Sequence, residues 1–390
     1  MSKKKASVNG NFKDIVNTVK FLTERKQFIN NSAPVLPTST DSFGVNIVAK
    51  SIHPKEQKLI ISRIEEHADI AKSYYLRSEG VPLAYFKAGQ YLTFRLEIGN
   101  SVVTRSYSIA SSPASALNGE YQITVKRISD GFVSDYILDN WAVGDKVTAY
   151  APEGNLTYSP LRDSKNIVAI AGGSGITPFL SLARAIDEGD EDCTLTLLYG
   201  CRNSDEILFK SELDALSAQN DGINVVYVLS HSDEEGYEKG FVGADIIKKY
   251  APEGGYSIFV CGPGGLYKFL DTELPKLNKE KKYIRFEVFS SGKKADEDPK
   301  EFSITVINRG TESVIRASSN ETVLCAFERA GIEVPARCHT GECGFCRSKL
   351  ISGKVYIPEG EDRRRIADMQ FNFIHPCCCY PESDLVVRIN

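Results

Sequence analysis

The sequence predicts a multidomain chain: an antiparallel β-barrel, then a parallel α/β sheet, then a small α+β unit. Three observations predict this. Short β-branched segments separated by turn residues run to about Tyr158, and strand and helix patterns alternate from Asn166 to Leu277. Six of the ten cysteines fall in the last 53 residues. At 390 residues the chain exceeds one ordinary domain of roughly 100–200 residues. Its net charge of −4, from 47 basic and 51 acidic residues, argues against nucleic acid as a partner. No apolar run nears the ~18 residues of a membrane span. The start, MSKKKASVNGNF, has no apolar core behind its lysines, so it is not read as a secretory signal and a cytoplasmic location is expected.

Residues 1–44 read as a helical extension. Phe12, Ile15, Val16, Val19 and Leu22 recur at helical spacing, and the plain reading is a stripe packed on the body of the protein, with a partner-docking helix as the alternative. A Pro-, Ser- and Thr-rich loop follows, Ser32 to Ser42. Residues 45–160 form the expected barrel, with VNIVAKSI, KLIISRI, GQYLTFRLEI, YQITVKRI and DKVTAYAP as strands. Residues 161–290 form the parallel sheet. NIVAIAGG is continuously apolar, as a strand buried on both faces should be, and FLSLARAIDEG, TLTLLYG, FKSELDALSAQ, INVVYVLS, ADIIKKY, YSIFVCG and GLYKFLDTELPKL continue the alternation. Residues 291–301, charged and almost free of apolar side chains, read as a linker. Residues 302–390 complete the chain as the α+β unit.

The cysteine pattern carries the most specific chemistry. Cys338-x4-Cys343-x2-Cys346, followed after 30 residues by Cys377, Cys378 and Cys379, is the plant-type spacing for a 2Fe–2S cluster. Thiolates are the soft anionic ligands iron and sulfide prefer. Gly341 and Gly344 permit a tight loop whose N–H groups face the sulfurs. Zinc is the competing reading, but it normally shows two short Cys pairs and only Cys343/Cys346 has that form. Spacing alone leaves three candidates for the fourth ligand. His339 and His375 read as bystanders, because a His-ligated centre replaces cysteines and here every cysteine position is filled.

Two further motifs are weak alone. Gly172-Gly173-Ser174-Gly175-Ile176-Thr177-Pro178 joins a strand to a helix, where glycines and a helix N-terminus admit a phosphate. Arg105-Ser106-Tyr107-Ser108 ends a barrel strand. Its arginine suits a phosphate and its tyrosine a flat ring, but in isolation it is also an ordinary surface strand.

Read in order, Phe86-x-x-Gly89-Gln90-Tyr91, Arg105-x-Tyr107-Ser108, Val125-Lys126-Arg127, Gly131-x-x-Ser134, the Gly172–Pro178 turn, Tyr199-Gly200-x-Arg202, Cys261-Gly262-Pro263 and Glu287-x-Phe289 resemble the ferredoxin–NADP reductase superfamily. With the C-terminal cysteines, the chain is similar to NADH-dependent reductases of oxygenases and of hybrid cluster protein. The resemblance covers residues 45–390 and implies a flavin barrel, an NAD domain and a β-grasp ferredoxin domain. It implies that Arg105 holds the flavin phosphate, Tyr107 packs on the flavin ring, Ser108 sits near its hydride-accepting nitrogen, and Val125 and Lys126 line its edge. Gly131, Val133 and Ser134 cap the pyrophosphate. Gly172, Gly173, Thr177 and Arg202 bind the nicotinamide cofactor, Cys261, Gly262 and Pro263 border hydride transfer, and Glu287 and Phe289 lie at the flavin face. Ser108, Thr177, Cys261 and Glu287 are thus the residues nearest the chemistry. The fourth cluster ligand becomes Cys377, from the family pattern C-Q-C-x-P before S-D-L, matched here by Cys377-Cys378-Cys379-Tyr380-Pro381 and Ser383-Asp384-Leu385.

FAD is expected over FMN from the Gly131-x-x-Ser134 segment. NADH is expected over NADPH because His231-Ser232-Asp233-Glu234-Glu235 after a sheet strand is acidic where a 2′-phosphate would want cations. The implied activity takes two electrons as hydride and passes them singly through the 2Fe–2S cluster to a protein acceptor: an oxygenase, hybrid cluster protein or a corrinoid protein. The alternative is a redox-sensing regulatory protein. Residues 300–390 hold twelve basic and twelve acidic side chains; Arg363-Arg364-Arg365 reads as a solvated run or, alternatively, a docking patch for an acidic partner.

Overall fold

The computed structural model describes residues 12–31, 43–52, 54–67, 69–128, 131–289, 296–359 and 362–389. The chain divides into a small unit, Met1–Ala49, and a body, Lys50–Asn390. The first contains helix α1 (Phe12–Asn31), on which Val16, Val19 and Leu22 are exposed; the loop expected from Ser32 lies outside the described residues. Helix α2 (Gly44–Ile52) replaces the strand expected for VNIVAKSI. Its Val45, Ile47 and Val48 are exposed, and β-branched residues favour a strand only where neighbouring strands pack against them.

The first sheet begins at Glu56. Strands β1 (Glu56–His67), β2 (Ala71–Ser78), β3 (Tyr91–Ile98) and β4 (Ser101–Ser108), helix α3 (Pro113–Leu117), strand β5 (Tyr121–Lys126), helix α4 (Phe132–Asn140) and strand β6 (Lys146–Tyr150) follow in turn. The antiparallel order is β4-β3-β6-β1-β2-β5, and a bridge between Ile109 and Ile123 joins its two edges into a barrel. Alternation explains its core: Gln57, Leu59 and Ile61 on β1 point inward, toward Tyr74, Phe86, Phe94 and Tyr121.

The second sheet is parallel. It comprises β7 (Asn166–Gly172), α5 (Thr177–Asp187), β8 (Thr194–Cys201), α6 (Lys210–Gln219), β9 (Ile223–Leu229), β10 (Glu238–Lys239), α7 (Ala244–Tyr250), β11 (Tyr256–Cys261), α8 (Gly264–Glu273) and β12 (Ile284–Glu287). In the order β10-β9-β8-β7-β11-β12 the winding reverses between β7 and β11. That reversal opens a crevice at the carboxyl ends of those strands, where open α/β sheets bind ligands. Residues 167–171 of β7 are fully buried, as their unbroken apolar run requires.

The third sheet, β14-β13-β19-β15-β17, is mixed. This part of the chain comprises β13 (Glu301–Asn308), β14 (Thr311–Ser318), α9 (Val323–Arg329), β15 (Ser348–Ser352), β16 (Val355–Tyr356), α10 (Ile366–Gln370), β17 (Phe373–Ile374), β18 (Tyr380–Pro381) and β19 (Leu385–Ile389), with β16 and β18 pairing as a separate two-stranded sheet. The Thr322 side chain caps α9 by accepting from the Cys325 N–H. The expected linker is shorter than its composition suggests. Residues 290–295 lie outside the described set, but Asp296 accepts from Ser319 Oγ at 2.9 Å and the Lys300 N–H donates to that hydroxyl at 3.1 Å. Residues 296–301 are exposed, as their charge implies, and local hydrogen bonds also tie this stretch to the turn after β14.

Candidate functional site

The cysteine loop brings four sulfurs together in one linked cluster, with Cys338 also touching Cys377. Cys338 and Cys343 interact directly, and Cys346 Sγ lies 3.4 Å from Cys377 Sγ. Four clustered cysteine sulfurs are what a 2Fe–2S cluster requires, so the residues present fit a binuclear cluster. The loop wraps its backbone around the sulfurs. The N–H groups of Thr340 and Cys343 each donate to Cys338 Sγ at 3.4 Å, and that of Gly341 donates to Cys377 Sγ at 3.2 Å. Such donors stabilise added negative charge on sulfur. Gly341 and Gly344 have φ of +80° and +70°, which only glycine adopts without strain. A Cβ at Gly341 would also come within 2.7 Å of Cys378 Sγ. Hydrogen bonds from Cys343 and Cys377 hold the Cys338 thiol far below its ordinary range. Of the neighbouring cysteines, Cys378 donates to the His375 carbonyl at 3.4 Å, and Cys379 is buried in the apolar core of the third sheet. His375 is buried with Nδ1 2.6 Å from the Gly341 carbonyl oxygen, so it props the loop.

Strand β4 organises the junction of the three sheets. Its side chains alternate, and those of one face reach beyond the barrel. Thr104 Oγ1 donates to the Ala336 carbonyl at 3.1 Å and lies 2.9 Å from His339 Nε2; Ser106 Oγ donates to the Arg337 carbonyl at 3.0 Å. Both contacts fall on the chain leading into Cys338. At the end of the strand, Ser108 Oγ donates to Glu287 Oε2 of β12 at 3.4 Å. Arg337 then forms an ion pair with Glu153 and lies over the Phe345 ring at 3.8 Å. Between these contacts is a cavity of about 190 Å³, whose walls include Tyr91, Gly154, Glu287, Phe289, Cys338 and Cys343. Gly154, at φ +124°, leaves room there: a Cβ would meet the Tyr91 ring at 3.1 Å and Glu287 Oε1 at 3.3 Å. Burial pushes the Glu287 carboxyl up to about 8, against the lowering effect of the Ser108 hydrogen bond.

At the crevice of the parallel sheet, glycines bring β7 and β11 into close approach. A Cβ on Gly172 would fall 2.8 Å from Pro263 Cδ, and one on Gly175 would fall 2.2 Å from the Cys261 carbonyl oxygen. Gly173 adopts φ +53° and accepts from Tyr199 Oη at 2.9 Å. Thr177 opens α5, with its hydroxyl donating to the Ser174 carbonyl at 3.1 Å.

Three domain families match along the chain: an oxidoreductase FAD-binding domain over residues 71–158, an oxidoreductase NAD-binding domain over 169–272, and a 2Fe-2S iron-sulfur cluster binding domain over 306–382. The glycine betaine monooxygenase reductase subunit of Chromohalobacter salexigens is 26% identical over 350 residues, covering 83% of this chain and 93% of that protein. The ferredoxin reductase component of 3-ketosteroid-9-alpha-monooxygenase from Mycobacterium tuberculosis is 29% identical over 314 residues, covering 77% and 84%. Among solved structures, phthalate dioxygenase reductase superposes with a TM-score of 0.66 at 25% identity, covering 86% of this chain and 98% of that one. The chain carries an oxidoreductase FAD-binding domain, an oxidoreductase NAD-binding domain and a 2Fe-2S cluster binding domain in that order, the set found in the reductase components it resembles. It is an oxidoreductase that passes electrons from NAD(P)H through FAD to a 2Fe–2S cluster and on to a protein acceptor.

Within this reductase the residues singled out from sequence fall into three places. Tyr107 and Val133 belong to the barrel core, Tyr107 with its ring 6.2 Å from that of Phe94, and Val125 is fully buried beside them. Gly131 is the N-cap of α4 and Ser134 lies within its first turn; a Cβ on Gly131 would strike Ser134 Oγ at 2.1 Å. Lys126 reaches the parallel sheet, paired with Glu206 at 3.3 Å and 3.8 Å from the Cβ position of Gly173. Arg202 is exposed, and its carbonyl accepts from the His231 N–H at 3.0 Å. Cys261 is buried, and burial raises its thiol well above the ordinary value. Phe289 stacks edgewise on Tyr91 at 5.9 Å.

Arg105 is shared. One Nη donates to the Thr104 carbonyl at 2.6 Å and pairs with Glu328 of α9 at 3.2 Å. Glu328 is itself buried, which raises its carboxyl, and burial together with Arg105 drives His339 down to about 3. Glu328, Arg337, Glu153 and Thr340 escaped the sequence reading, because their partners lie far away in the chain and no local spacing marks them. Tyr267 escaped it too, although its hydroxyl donates to the Glu287 carbonyl and accepts from the Gly262 N–H at 3.0 Å. Among the described residues, no helix is long and apolar enough to cross a membrane.

Proposed function

We propose that the reductase serves a terminal oxygenase, taking hydride from NADH at the β7/β11 crevice and delivering single electrons from the cysteine loop. The observation that carries this reading is the shared cavity: Glu287, which accepts from Ser108, lines one small space together with Cys338 and Cys343. FAD would supply the conversion of a two-electron donor into one-electron steps; the chain's own task is placement and electrostatics. The donors of Arg105 not spent on Glu328 are suited to the flavin phosphate, and Tyr107 with Val125 supplies apolar surface for the ring. The N-terminus of α4 at Gly131, Val133 and Ser134 suits the pyrophosphate. Ser108 and Glu287 orient the reacting face. Because Glu287 holds its proton to about pH 8, it keeps a negative charge away from that face. Gly172, Gly173, Thr177 and Arg202, with Cys261, Gly262 and Pro263 opposite, line the crevice that receives the nicotinamide cofactor.

Cys338, Cys343, Cys346 and Cys377 hold the cluster in this reading. Cys377 is favoured over Cys378 because it sits against Cys346 and receives the Gly341 N–H, whereas Cys378 donates to a carbonyl. Asp233 and Glu234, four and five residues past the end of β9, favour NADH over NADPH. The oxygenase acceptor is supported by the relatives, whose names are those of oxygenase reductase components. A reducing cytoplasm suits ten free cysteines. Anaerobic NADH should bleach the flavin absorbance first and then the cluster absorbance. A spectrum left unchanged by NADH overturns the proposal.

A further inference from the structure

Short helix α10 and the residue after it present Ile366, Met369 and Phe371 to solvent, at 83%, 47% and 56% exposure. Ile366 and Met369 are three residues apart and share one face of the helix. Solvating such side chains side by side is unfavourable, and exposed apolar surface rimmed by polar residues marks interaction sites.

This surface is fastened to the cysteine loop. Buried Asp368 of α10 pairs with Arg347 at 2.7 Å and lies 3.7 Å from His375 Nε2. The other nitrogen of that ring is the one against the Gly341 carbonyl. Arg363 reaches Glu342 of the loop at 3.8 Å. The patch therefore moves with the sulfurs as one frame.

Its rim is cationic. Arg364 is consumed by Asp362, at 2.7 Å, and by the Phe373 carbonyl. Arg365 is exposed and has no ion pair among the described residues. Lys349 donates to the Phe371 carbonyl and lies over the Phe373 ring at 5.1 Å, and its charge has no carboxylate partner among the described residues. Among the described residues, Glu342, Asp362 and Asp368 are matched to Arg363, Arg364 and Arg347, and Glu359 is exposed.

We propose that this surface docks the electron-acceptor protein through an acidic face with an apolar centre: Ile366, Met369 and Phe371 fill the centre, and Arg365 and Lys349 meet carboxylates at the rim. The inference rests on the reductase reading and adds to it the chemistry of the partner's surface. Opposite charge speeds encounter, and apolar contact holds the complex.

The test uses the full chain carrying its flavin and cluster, with cytochrome b5 as an acidic protein acceptor and ferricyanide as a small one. NADH-driven reduction of cytochrome b5 should fall as salt rises from about 20 to about 300 mM. At low salt it should be roughly ten-fold slower in Arg365→Glu and in Ile366→Asp, while ferricyanide reduction and bleaching of the cluster by NADH stay at the parent level. These positions are exposed, and the retained cluster spectrum reports that each variant is folded. Unchanged cytochrome b5 rates in both variants overturn the docking surface. So does sedimentation showing that the parent is a dimer which Ile366→Asp dissociates, since a second copy would then be the occupant. If NADH fails to bleach the parent's cluster at all, the reductase reading itself is what falls.

Discussion

The barrel meets its two neighbours through seams of opposite character. Toward the parallel sheet the seam is apolar. Ala71, Ala88, Ala110, Leu156 and Tyr158 of the barrel region belong to the same buried cluster as Phe179, Leu180 and Tyr199. Polar ties only trim its edge: Ser181 Oγ donates to the Ser111 carbonyl at 2.6 Å, and Arg184 bonds Gln122 and the Ala110 carbonyl while pairing with Glu212. Toward the ferredoxin domain the seam is polar, built from Arg105–Glu328, Arg337–Glu153, Arg95–Glu333 at 3.5 Å, and the Thr104 and Ser106 hydroxyls. The third sheet keeps its own core. The difference is one of cohesion. Flavin and nicotinamide must meet in one fixed geometry, and a shared core welds their domains together. The ferredoxin domain is aligned by directional bonds that set orientation while burying little apolar surface.

The largest expected effect lies in the apolar seam. Leu156→Ala should cost about 2–5 kcal/mol and should lower the unfolding midpoint of barrel and parallel sheet together. Fluorescence of Trp141, the chain's one tryptophan, and release of bound flavin report the barrel, and nicotinamide binding reports the sheet. If only one midpoint moves, the two do not share a core.

Next is Glu287, where the seams converge. Its folded-state pKa near 8 lies above the ordinary 4.5, so the folded protein keeps a proton that the unfolded chain gives up. Stability should therefore decline as pH rises from about 4.5 to about 8 and level off above that range. Glu287→Gln should flatten this slope in a thermal-denaturation series; an unaltered slope would assign it to other groups.

A smaller effect is expected at the polar seam. Glu328→Ala leaves Arg105 without its carboxylate, at a cost of about 1–3 kcal/mol, limited by the partial exposure of the arginine. Stopped-flow traces should show slower electron transfer from flavin to cluster with flavin reduction by NADH preserved. Loss of both steps would mean that the seam is not separable. The mildest perturbation is salt. Raising ionic strength to about 0.5 M should slow the flavin-to-cluster step slightly and leave hydride transfer untouched, because exposed pairs such as Arg95–Glu333 are screened.

How much of this could be read in advance depended on the range of the interactions. Cys338, Cys343 and Cys346 stand at a spacing that only a ligand loop explains, and the unbroken apolar run at β7 already implied a doubly covered strand. Gly172 was legible as part of a phosphate-admitting turn and Gly262 only through the family resemblance, but their close approach across two strands was not legible at all. VNIVAKSI misled because its composition suits a strand and nothing in the segment says whether a partner strand exists. The choice among Cys377, Cys378 and Cys379 was equally closed to spacing, since neighbouring residues differ only in which way the backbone turns them.

The amino-acid sequence alone determined the order of three units and the chemistry of each, because these depend on periodicity and on residues close in the chain. Tertiary structure alone decided that Arg105 answers to Glu328, that strand β4 touches all three sheets, and that a cavity joins Glu287 to Cys338. Those pairings link positions separated by 50 to more than 200 residues. No local pattern encodes them, and they exist only once the chain has been brought back on itself.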